Sequence, residues 1–219
     1  MNIKKITNRF LRFIFYRIVV RLVVSIVLGL NVRHRDRLPT TGPAILVANH
    51  NSHLDTMVLI TLLSSRLLNR IKPVAAADYF LSSPLKAWFA LNIVGILPIK
   101  RQKDTPDEDL LAPCYLSLEE GNILVFFPEG SRGEPEHLTA FKGGIAKLAE
   151  RYPAVPITPV LLHGLGKVLP KGEKLLVPFF CDVFVGEPLY GSKDRKSFMA
   201  QLEERMAELS QEGVFPPWE

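Results

Sequence analysis

The chain has 219 residues, of which 47% are apolar and 22% charged, a composition typical of one globular domain with a sizeable core rather than a disordered chain. Its two cysteines, Cys114 and Cys181, match neither a zinc-binding spacing nor a disulfide framework, so we expect two buried thiols in a reducing compartment. The net charge of +5 is unevenly distributed. Residues 1–35 contain eight Lys or Arg and no acid, which leaves 19 basic against 22 acidic residues in the rest of the chain.

The first predicted element is a basic, apolar helix. Basic residues alone are also typical of a nucleic-acid partner, but aromatic and aliphatic side chains lie between them at a density that favours hydrocarbon over a phosphate backbone. The longest apolar stretch of this segment without a charge, residues 22–30, is much shorter than the roughly 20 residues that cross a bilayer. Arg17 and Arg21 interrupt any longer span or signal peptide. We therefore expect an interfacial or half-inserted helix, with a core-packing helix carrying snorkelling arginines as the alternative.

Strands and helices are predicted to alternate along the rest of the chain, after a polar and basic connector at residues 31–42. Apolar runs predict strands at 43–49, 71–77, 95–99, 122–127 and 157–162, and one or two strands of a hairpin at 174–185. Helices are predicted at 56–68, 84–92, 106–120, 140–152 and 193–211, the third of them capped by Thr105 and begun by Pro106.

This order predicts an α/β fold: a single domain whose central, mostly parallel sheet is flanked by helices on both faces. In such sheets the chemistry lies at the carboxyl ends of the strands. His50 follows the first predicted strand, and Glu129 to Arg132 follow another. We therefore expect both polar segments at the same edge of the sheet.

A histidine at the end of a strand is followed by a carboxylate in the first turn of a helix. Asp55 lies five residues after His50, so its carboxylate can accept one imidazole N–H and leave the other nitrogen free to take a proton from a bound hydroxyl. A cluster that only caps the helix, with Asn51, Ser52 or Asp55 as the cap, is the structural alternative.

Four blocks in order resemble the motifs of the glycerolipid acyltransferases. The resemblance extends over about residues 40–165, and a lysine-bearing stretch, Phe141-Lys-Gly-Gly144, follows the third block as it does in that family. The blocks are Asn49-His50-x-Ser52-x-x-Asp55, Gly95-Ile-Leu-Pro-Ile-Lys-Arg101, Phe127-Pro-Glu-Gly-Ser-Arg132 and Val155-Pro-Ile-Thr-Pro-Val160.

The resemblance implies direct acyl transfer to a hydroxyl, with His50 as general base and Asp55 as its support. It implies that Lys100 and Arg101 bind the phosphate of the acceptor, and that Glu129, Gly130, Ser131 and Arg132 complete the acceptor site. No cofactor or metal is implied, and acyl-CoA or an acyl-carrier protein is the co-substrate. The sequence agrees in having no Gly-x-Ser-x-Gly nucleophile elbow and no cysteine beside a motif histidine.

Each of these residues also has a structural alternative. Lys100 and Arg101 begin a hydrophilic stretch that is typical of a solvated loop, and Glu129 with Arg132 is also typical of a surface ion pair. His50, His53 and Asp55 are a conceivable zinc set, but they lack the spacing of a metal hydrolase.

The expected function is acyl transfer to a lysophospholipid, most simply 1-acyl-glycerol-3-phosphate giving phosphatidic acid. Other acceptors (glycerol-3-phosphate, other lysolipids, amino-lipids) and a non-catalytic lipid-binding module are the alternatives. Residues 1–35 are predicted to form a basic, apolar membrane-binding helix, and residues 36–219 are predicted to form the acyltransferase α/β domain. The expected partners are membrane lipids, the lysophospholipid and the acyl donor, with no nucleic acid. We expect a peripheral or monotopic protein on the cytoplasmic face of the inner membrane.

Overall fold

The computed structural model describes residues 3–26, 28–133, 137–168 and 177–213. Its strands are β1 (Leu28–Arg33), β2 (Ala44–Ala48), β3 (Ile71–Ala76), β4 (Leu97–Ile99), β5 (Ile123–Phe126), β6 (Ile157–His163) and β7 (Phe179–Val185). Its helices are α1 (Ile3–Ile14), α2 (Arg21–Ile26), α3 (Leu54–Leu62), α4 (Ala77–Phe80), α5 (Pro84–Phe89), α6 (Ala112–Glu119), α7 (Gly144–Arg151), α8 (Leu165–Val168) and α9 (Arg195–Gln211). π-helical segments join α1 to α2 (Phe15–Val20) and extend α5 (Ala90–Val94).

The described strands form one seven-stranded sheet in the order β1-β7-β6-β2-β5-β3-β4. Pairing is parallel from β6 across to β4 and between β1 and β7, whereas β6 and β7 are antiparallel. The predicted fold, a single α/β domain with a central and mostly parallel sheet, is confirmed. Because β2 to β6 run the same way, their carboxyl ends meet at one edge.

Both faces of the sheet are covered, which is why its central strands are apolar at every position. Side chains of β2 alternate between two layers of core. Ala44, Leu46 and Ala48 pack with α3 and the π-helical segment between α1 and α2, and Ile45 and Val47 pack with α6, α7 and α9. All five residues of β2 are fully inaccessible to solvent. This central strand therefore gives His50, two residues beyond its end, a rigid support.

Two helices begin four or more residues later than predicted. The helix predicted to begin at residue 106 begins at Ala112, because Pro113 fits only in a first turn, where its missing N–H and its ring are tolerated. The prediction of a helix capped by Thr105 is therefore wrong for residues 106–111. The helix predicted from residue 140 begins at Gly144, because two consecutive glycines disfavour helical backbone before it.

The connector predicted from residue 31 is wrong over its first three residues, which belong to β1. Leu28, Leu30 and Val32 point towards the core, and the residues between them are exposed. β1 pairs with β7 along its whole length. The hairpin predicted at 174–185 lies partly outside the described residues, and its described part contains the single strand β7.

Residues 3–26 form a continuous helical rod, which we call the N-terminal helix. Its inner face packs on the domain through the buried side chains of Arg12, Tyr16 and Val20. The guanidinium of Arg12 donates to the carbonyl oxygens of Ile71 (3.1 Å) and Val94 (3.0 Å). None of the helices in the described ranges is both long enough and apolar enough to cross a membrane.

Candidate active site

The segments that follow β2, β4 and β5 meet at the carboxyl edge of the sheet. They bring His50, Arg101 and Gly130 to the wall of one cleft of about 1600 Å³. Six of the eight residues that the sequence analysis selected line this cleft: His50, Lys100, Arg101, Gly130, Ser131 and Arg132. The other two, Asp55 and Glu129, are buried behind His50. Sequence positions up to 82 residues apart thus form one site, as the order of the strands predicts.

His50 and Asp55 form a hydrogen-bonded pair. Nδ1 of His50 lies 2.9 Å from Oδ2 of Asp55, and the Asp55 side chain is fully buried. The same oxygen accepts the backbone N–H groups of Asn51 (2.7 Å) and Ser52 (2.8 Å). The chain between His50 and α3 is therefore wrapped around one carboxylate, which also lies in the first turn of α3, where the helix dipole favours negative charge. Capping and histidine orientation are thus performed by the same side chain.

The imidazole of His50 is held from the side as well. It stacks on the ring of Phe127, with 4.1 Å between the ring centroids and 22° between their planes. Its side chain is 18% exposed, towards the cleft. No hydrogen bond to its Nε2 is found within the described parts of the chain. With Nδ1 engaged by a carboxylate, Nε2 is the nitrogen that a molecule in the cleft can reach.

The buried side chain of Glu129 links the segment that follows β2 to the segment that contains Thr139. One carboxylate oxygen accepts the backbone N–H of His50 (3.0 Å), and the other accepts the hydroxyl of Thr139 (2.5 Å). The backbone of His50 is bonded a second time, since its carbonyl accepts the N–H of Gly133. Sequence reasoning had no signal for Thr139. The predicted role of Glu129 in the acceptor site stays a prediction, and its contacts here hold His50 in position.

Basic side chains also line the cleft. Lys100 donates to both Asp104 (2.6 Å) and Glu108 (2.7 Å), whereas Arg101 has one exposed and longer contact to Asp78 (3.3 Å). An exposed ion pair of this kind is worth less than about 1 kcal/mol, so an incoming anion can displace it. Of the two residues, Arg101 is therefore the one more readily available to a ligand.

Gly130 lets a further cation approach the site. Its backbone has φ +74°, and a Cβ added there would lie 2.6 Å from Nζ of Lys142. Any side chain at this position would therefore meet both backbone strain and the ammonium group. Lys142 belongs to the lysine-bearing stretch that the sequence analysis noted, and it lines the cleft together with Arg132.

His53 lies beside the pair without joining it. Burial and the positive charges of neighbours, Arg132 before the others, lower the pKa of His53 from 6.5 to about 4. Its ring stacks near Tyr79, with the centroids 6.2 Å apart. Throughout the described ranges, no group of three or more His, Cys, Asp or Glu side chains is arranged to hold a metal ion.

Part of the cleft wall is apolar. Side chains from α3, β3, α4, α5, the π-helical segment and the turn before β4 contribute there: Met57, Val74, Phe80, Phe89, Val94 and Ile96. The cleft thus combines a histidine with one reachable nitrogen, a group of cationic side chains and an apolar wall. That combination can bind an amphiphilic anion and take a proton from it.

Comparison with known proteins gives one consistent result. The family model described as Acyltransferase matches residues 29–163, more than half of the chain. Similar proteins include the chloroplastic 1-acyl-sn-glycerol-3-phosphate acyltransferases LPAT1 of Arabidopsis thaliana and BAT2 of Brassica napus. LPAT1 is 31% identical over 82% of this chain and 50% of its own length, and BAT2 is 32% identical over 74% and 46%. The chain thus spans about half the length of the curated relatives it matches.

A solved structure is similar over nearly the whole chain. The crystal structure of the 1-acyl-sn-glycerophosphate acyltransferase PlsC from Thermotoga maritima covers 99% of this chain and 86% of that one, with a TM-score of 0.75. At 18% sequence identity, this likeness establishes the fold.

Proposed function

The chain belongs to the acyltransferase family, and from that premise we propose that it transfers a fatty-acyl group from a thioester to the hydroxyl of 1-acyl-glycerol-3-phosphate, giving phosphatidic acid. The observation that carries the proposal is the bond between His50 Nδ1 and Asp55, which leaves Nε2 as the reachable base in a cleft. The names of the relatives, which act on 1-acyl-sn-glycerol-3-phosphate, support the choice of acceptor.

In the proposed reaction, Nε2 of His50 takes the proton of the acceptor hydroxyl as its oxygen attacks the thioester carbonyl carbon. The tetrahedral intermediate then expels the thiolate, and His50 returns the proton to that sulfur. Asp55 accepts the Nδ1 hydrogen bond throughout and stabilises the imidazolium. A positioned general base contributes roughly 10²- to 10⁴-fold in rate.

A covalent acyl-cysteine is a poor alternative because of where the thiols lie. Cys114 and Cys181 are both buried, and burial raises the pKa of Cys114 to about 12. The thiolate is the nucleophilic form, so Cys114 stays unreactive at neutral pH. Neither cysteine lines the cleft that contains His50.

The two substrates divide the cleft by chemistry. The acceptor's phosphate is assigned to Arg101 with Arg132, because a planar guanidinium binds phosphate oxygens in pairs. Acyl chains are assigned to the apolar wall that includes Met57, Phe80 and Val94. Acyl-CoA and an acyl-carrier protein both offer the required thioester.

We further propose that the N-terminal helix holds the protein on the cytoplasmic surface of the membrane, where the substrate and the two-tailed product reside. The outward side of the helix supports this proposal, since it exposes Phe10, Ile18 and Leu22 between Arg9, Arg17 and Arg21. Apolar side chains flanked by cations are typical of interfacial helices.

Release of free thiol from palmitoyl-CoA, measured with and without lysophosphatidic acid, tests the reaction class. The proposal predicts thiol release that requires the lysolipid and matches the phosphatidic acid formed. Release without any acceptor would instead indicate a thioesterase. Thiol release that requires glycerol-3-phosphate and not the lysolipid would show that glycerol-3-phosphate is the acyl acceptor. If palmitoyl-CoA gives none, palmitoyl-carrier protein takes its place, and failure of both donors with all these acceptors would refute acyl transfer.

A further inference from the structure

The helix α5 and the π-helical turn after it expose an apolar surface that the cleft does not use. Leu85 is 79% exposed, and Trp88 and Leu91 are each 43% exposed. A surface helix of a soluble domain normally presents polar side chains outward. We call Leu85, Trp88 and Leu91 the second apolar patch, and none of the three lines the cleft.

This patch lies beside the N-terminal helix. Asn8 donates from Nδ2 to Oδ1 of Asn92 (2.6 Å), and Phe15 meets Phe89 edge to face with 5.5 Å between the ring centroids. Leu85 lies one turn before Phe89 and so occupies the same side of α5. The patch and the exposed apolar side chains of the N-terminal helix therefore form neighbouring parts of one surface.

Arg12 fixes these two helices to each other and to the domain. Its buried guanidinium bonds to Val94 O at the end of the π-helical turn and to Ile71 O at the start of β3. Lifting the N-terminal helix away would deprive the guanidinium of both bonds and expose the apolar side chains beneath it. At about 1.5 Å per residue, the helix is roughly 36 Å long and is held along the domain.

The charges around both surfaces match an anionic bilayer. Residues 1–35 contain eight basic residues and no acid, and residues 79–99, which include the patch, contain the basic residue Lys86 and no acid. An anionic leaflet attracts such segments by about 1 kcal/mol for each basic residue near the surface. Tyr79 and Lys86 also line the cleft, so this surface borders the cleft's wall.

We propose that the second apolar patch is a membrane-docking element of its own, which enters an anionic phospholipid leaflet beside the N-terminal helix and sets the cleft against the bilayer. This inference rests on the membrane attachment proposed above and deepens it. The N-terminal helix then lies in the plane of the interface as a fixed part of the domain. Both helices contribute apolar side chains to the same leaflet.

Trp88 is a built-in reporter of this contact. The chain has two tryptophans, and the second, Trp218, lies outside the described residues, so Trp218→Phe leaves Trp88 as the single tryptophan. The experiment adds vesicles of phosphatidylcholine with a minority of phosphatidylglycerol, with and without bromine atoms in the acyl chains. Side chains of an interfacial helix reach the boundary of the acyl region, so we expect a blue shift and loss of roughly half of the emission to the brominated lipid.

A matched pair of variants measures the contribution to binding. Leu85→Ser with Leu91→Ser is expected to lower the vesicle partition coefficient about 10- to 100-fold, because two exposed leucines lose their burial in lipid. The control is Leu116→Ser, a residue that is 63% exposed on α6, on the other face of the sheet, and it is expected to change nothing. Turnover of lysolipid dispersed in detergent should be unchanged in both, which shows that they fold.

The outcomes separate the two proposals. Vesicle binding with unchanged Trp88 emission would overturn the docking role of the patch and leave the N-terminal helix as the anchor. Failure of the wild-type protein to bind vesicles would overturn membrane attachment as a whole, while the thiol assay would still report on acyl transfer. A blue shift that depends on protein concentration without lipid would mean that a second copy covers the patch, and the inference would be wrong.

Discussion

At the scale of single residues, Asp55 concentrates three hydrogen bonds on one buried oxygen. Asp55→Asn keeps the size and the acceptor atom but removes the charge that supports an imidazolium. We expect kcat to fall roughly 10²- to 10⁴-fold with little change in KM, as for a base whose orienting carboxylate is lost. Steady-state kinetics with both substrates varied measures this. A variant with more than a tenth of wild-type kcat would show that Asp55 only caps α3.

Arg101 and Lys100 are neighbours in sequence, but they differ in the ion pairs that they form. Two carboxylates hold Lys100, and hydrogen bonds to them raise the pKa of its ammonium, whereas Arg101 has one weak contact. Arg101→Ala is therefore expected to raise the KM for the lysolipid about 10-fold or more, since a charged hydrogen bond is worth about 1.5–3 kcal/mol. Lys100→Ala should raise it less. A larger rise in the KM for the lysolipid in Lys100→Ala than in Arg101→Ala would show that Lys100, and not Arg101, is the main phosphate ligand.

His53 provides a prediction about pH. Its pKa of about 4 lies below the ordinary 6.5, so the unfolded chain binds the proton first. The free energy of unfolding should therefore fall as the pH drops from about 6.5 towards 4, by about 1 kcal/mol, because solvent still screens a ring that is only half-buried. Urea unfolding of wild type and His53→Gln across this range measures the difference. Curves that stay parallel with pH would show that His53 titrates normally.

At the scale of elements, the N-terminal helix packs closely against Gly95. Gly95 has φ +75°, and a Cβ there would lie 2.4 Å from the guanidinium carbon of Arg12. Gly95→Ala is expected to lower the free energy of unfolding by about 2–4 kcal/mol, from backbone strain plus displacement of Arg12. Gly121→Ala is the matched control, because Gly121 has φ +74° with open space around it. It should cost only the strain, about 1 kcal/mol.

Urea unfolding of the two glycine variants gives the comparison. Equal losses of stability would mean that the docking of Arg12 contributes nothing measurable. A larger loss for Gly95→Ala would show that the N-terminal helix is part of the cooperative fold.

The elements that the sequence predicts well are those with a long, uniform signal. The apolar runs that form β2 and β5 are buried on both faces of the sheet, so every residue in them is apolar and each position indicates a buried strand. β1 was missed because its alternating pattern spans only six residues and directly follows an apolar helix. Pro113 indicates the observed start of α6, because proline is favoured in the first turn of a helix. Thr105 and Pro106 indicate an earlier start equally well, and so the local sequence does not decide between the two.

At the scale of the whole molecule, the topology explains why the candidate site was predictable. Parallel strands bring the ends of β2, β4 and β5 together, so residues after each strand share one cleft. The contacts within it were not predictable, because they depend on side chains that the motifs do not fix. The bond from Glu129 to the backbone of His50 and the stacking of Phe127 on its ring are examples.

The most direct test of catalysis by His50 measures the phosphatidic acid formed from palmitoyl-CoA and lysophosphatidic acid. The wild-type protein is compared with His50→Ala and His34→Asn. Palmitoyl-carrier protein serves as the second acyl donor. His34 is an exposed histidine away from the cleft, with φ +57°, which asparagine tolerates. If His50 is the general base, His50→Ala lowers turnover roughly 10²- to 10⁴-fold with unchanged thermal unfolding, while His34→Asn stays near wild type. A His50→Ala protein that keeps turnover within a few-fold of wild type would contradict general-base catalysis by His50.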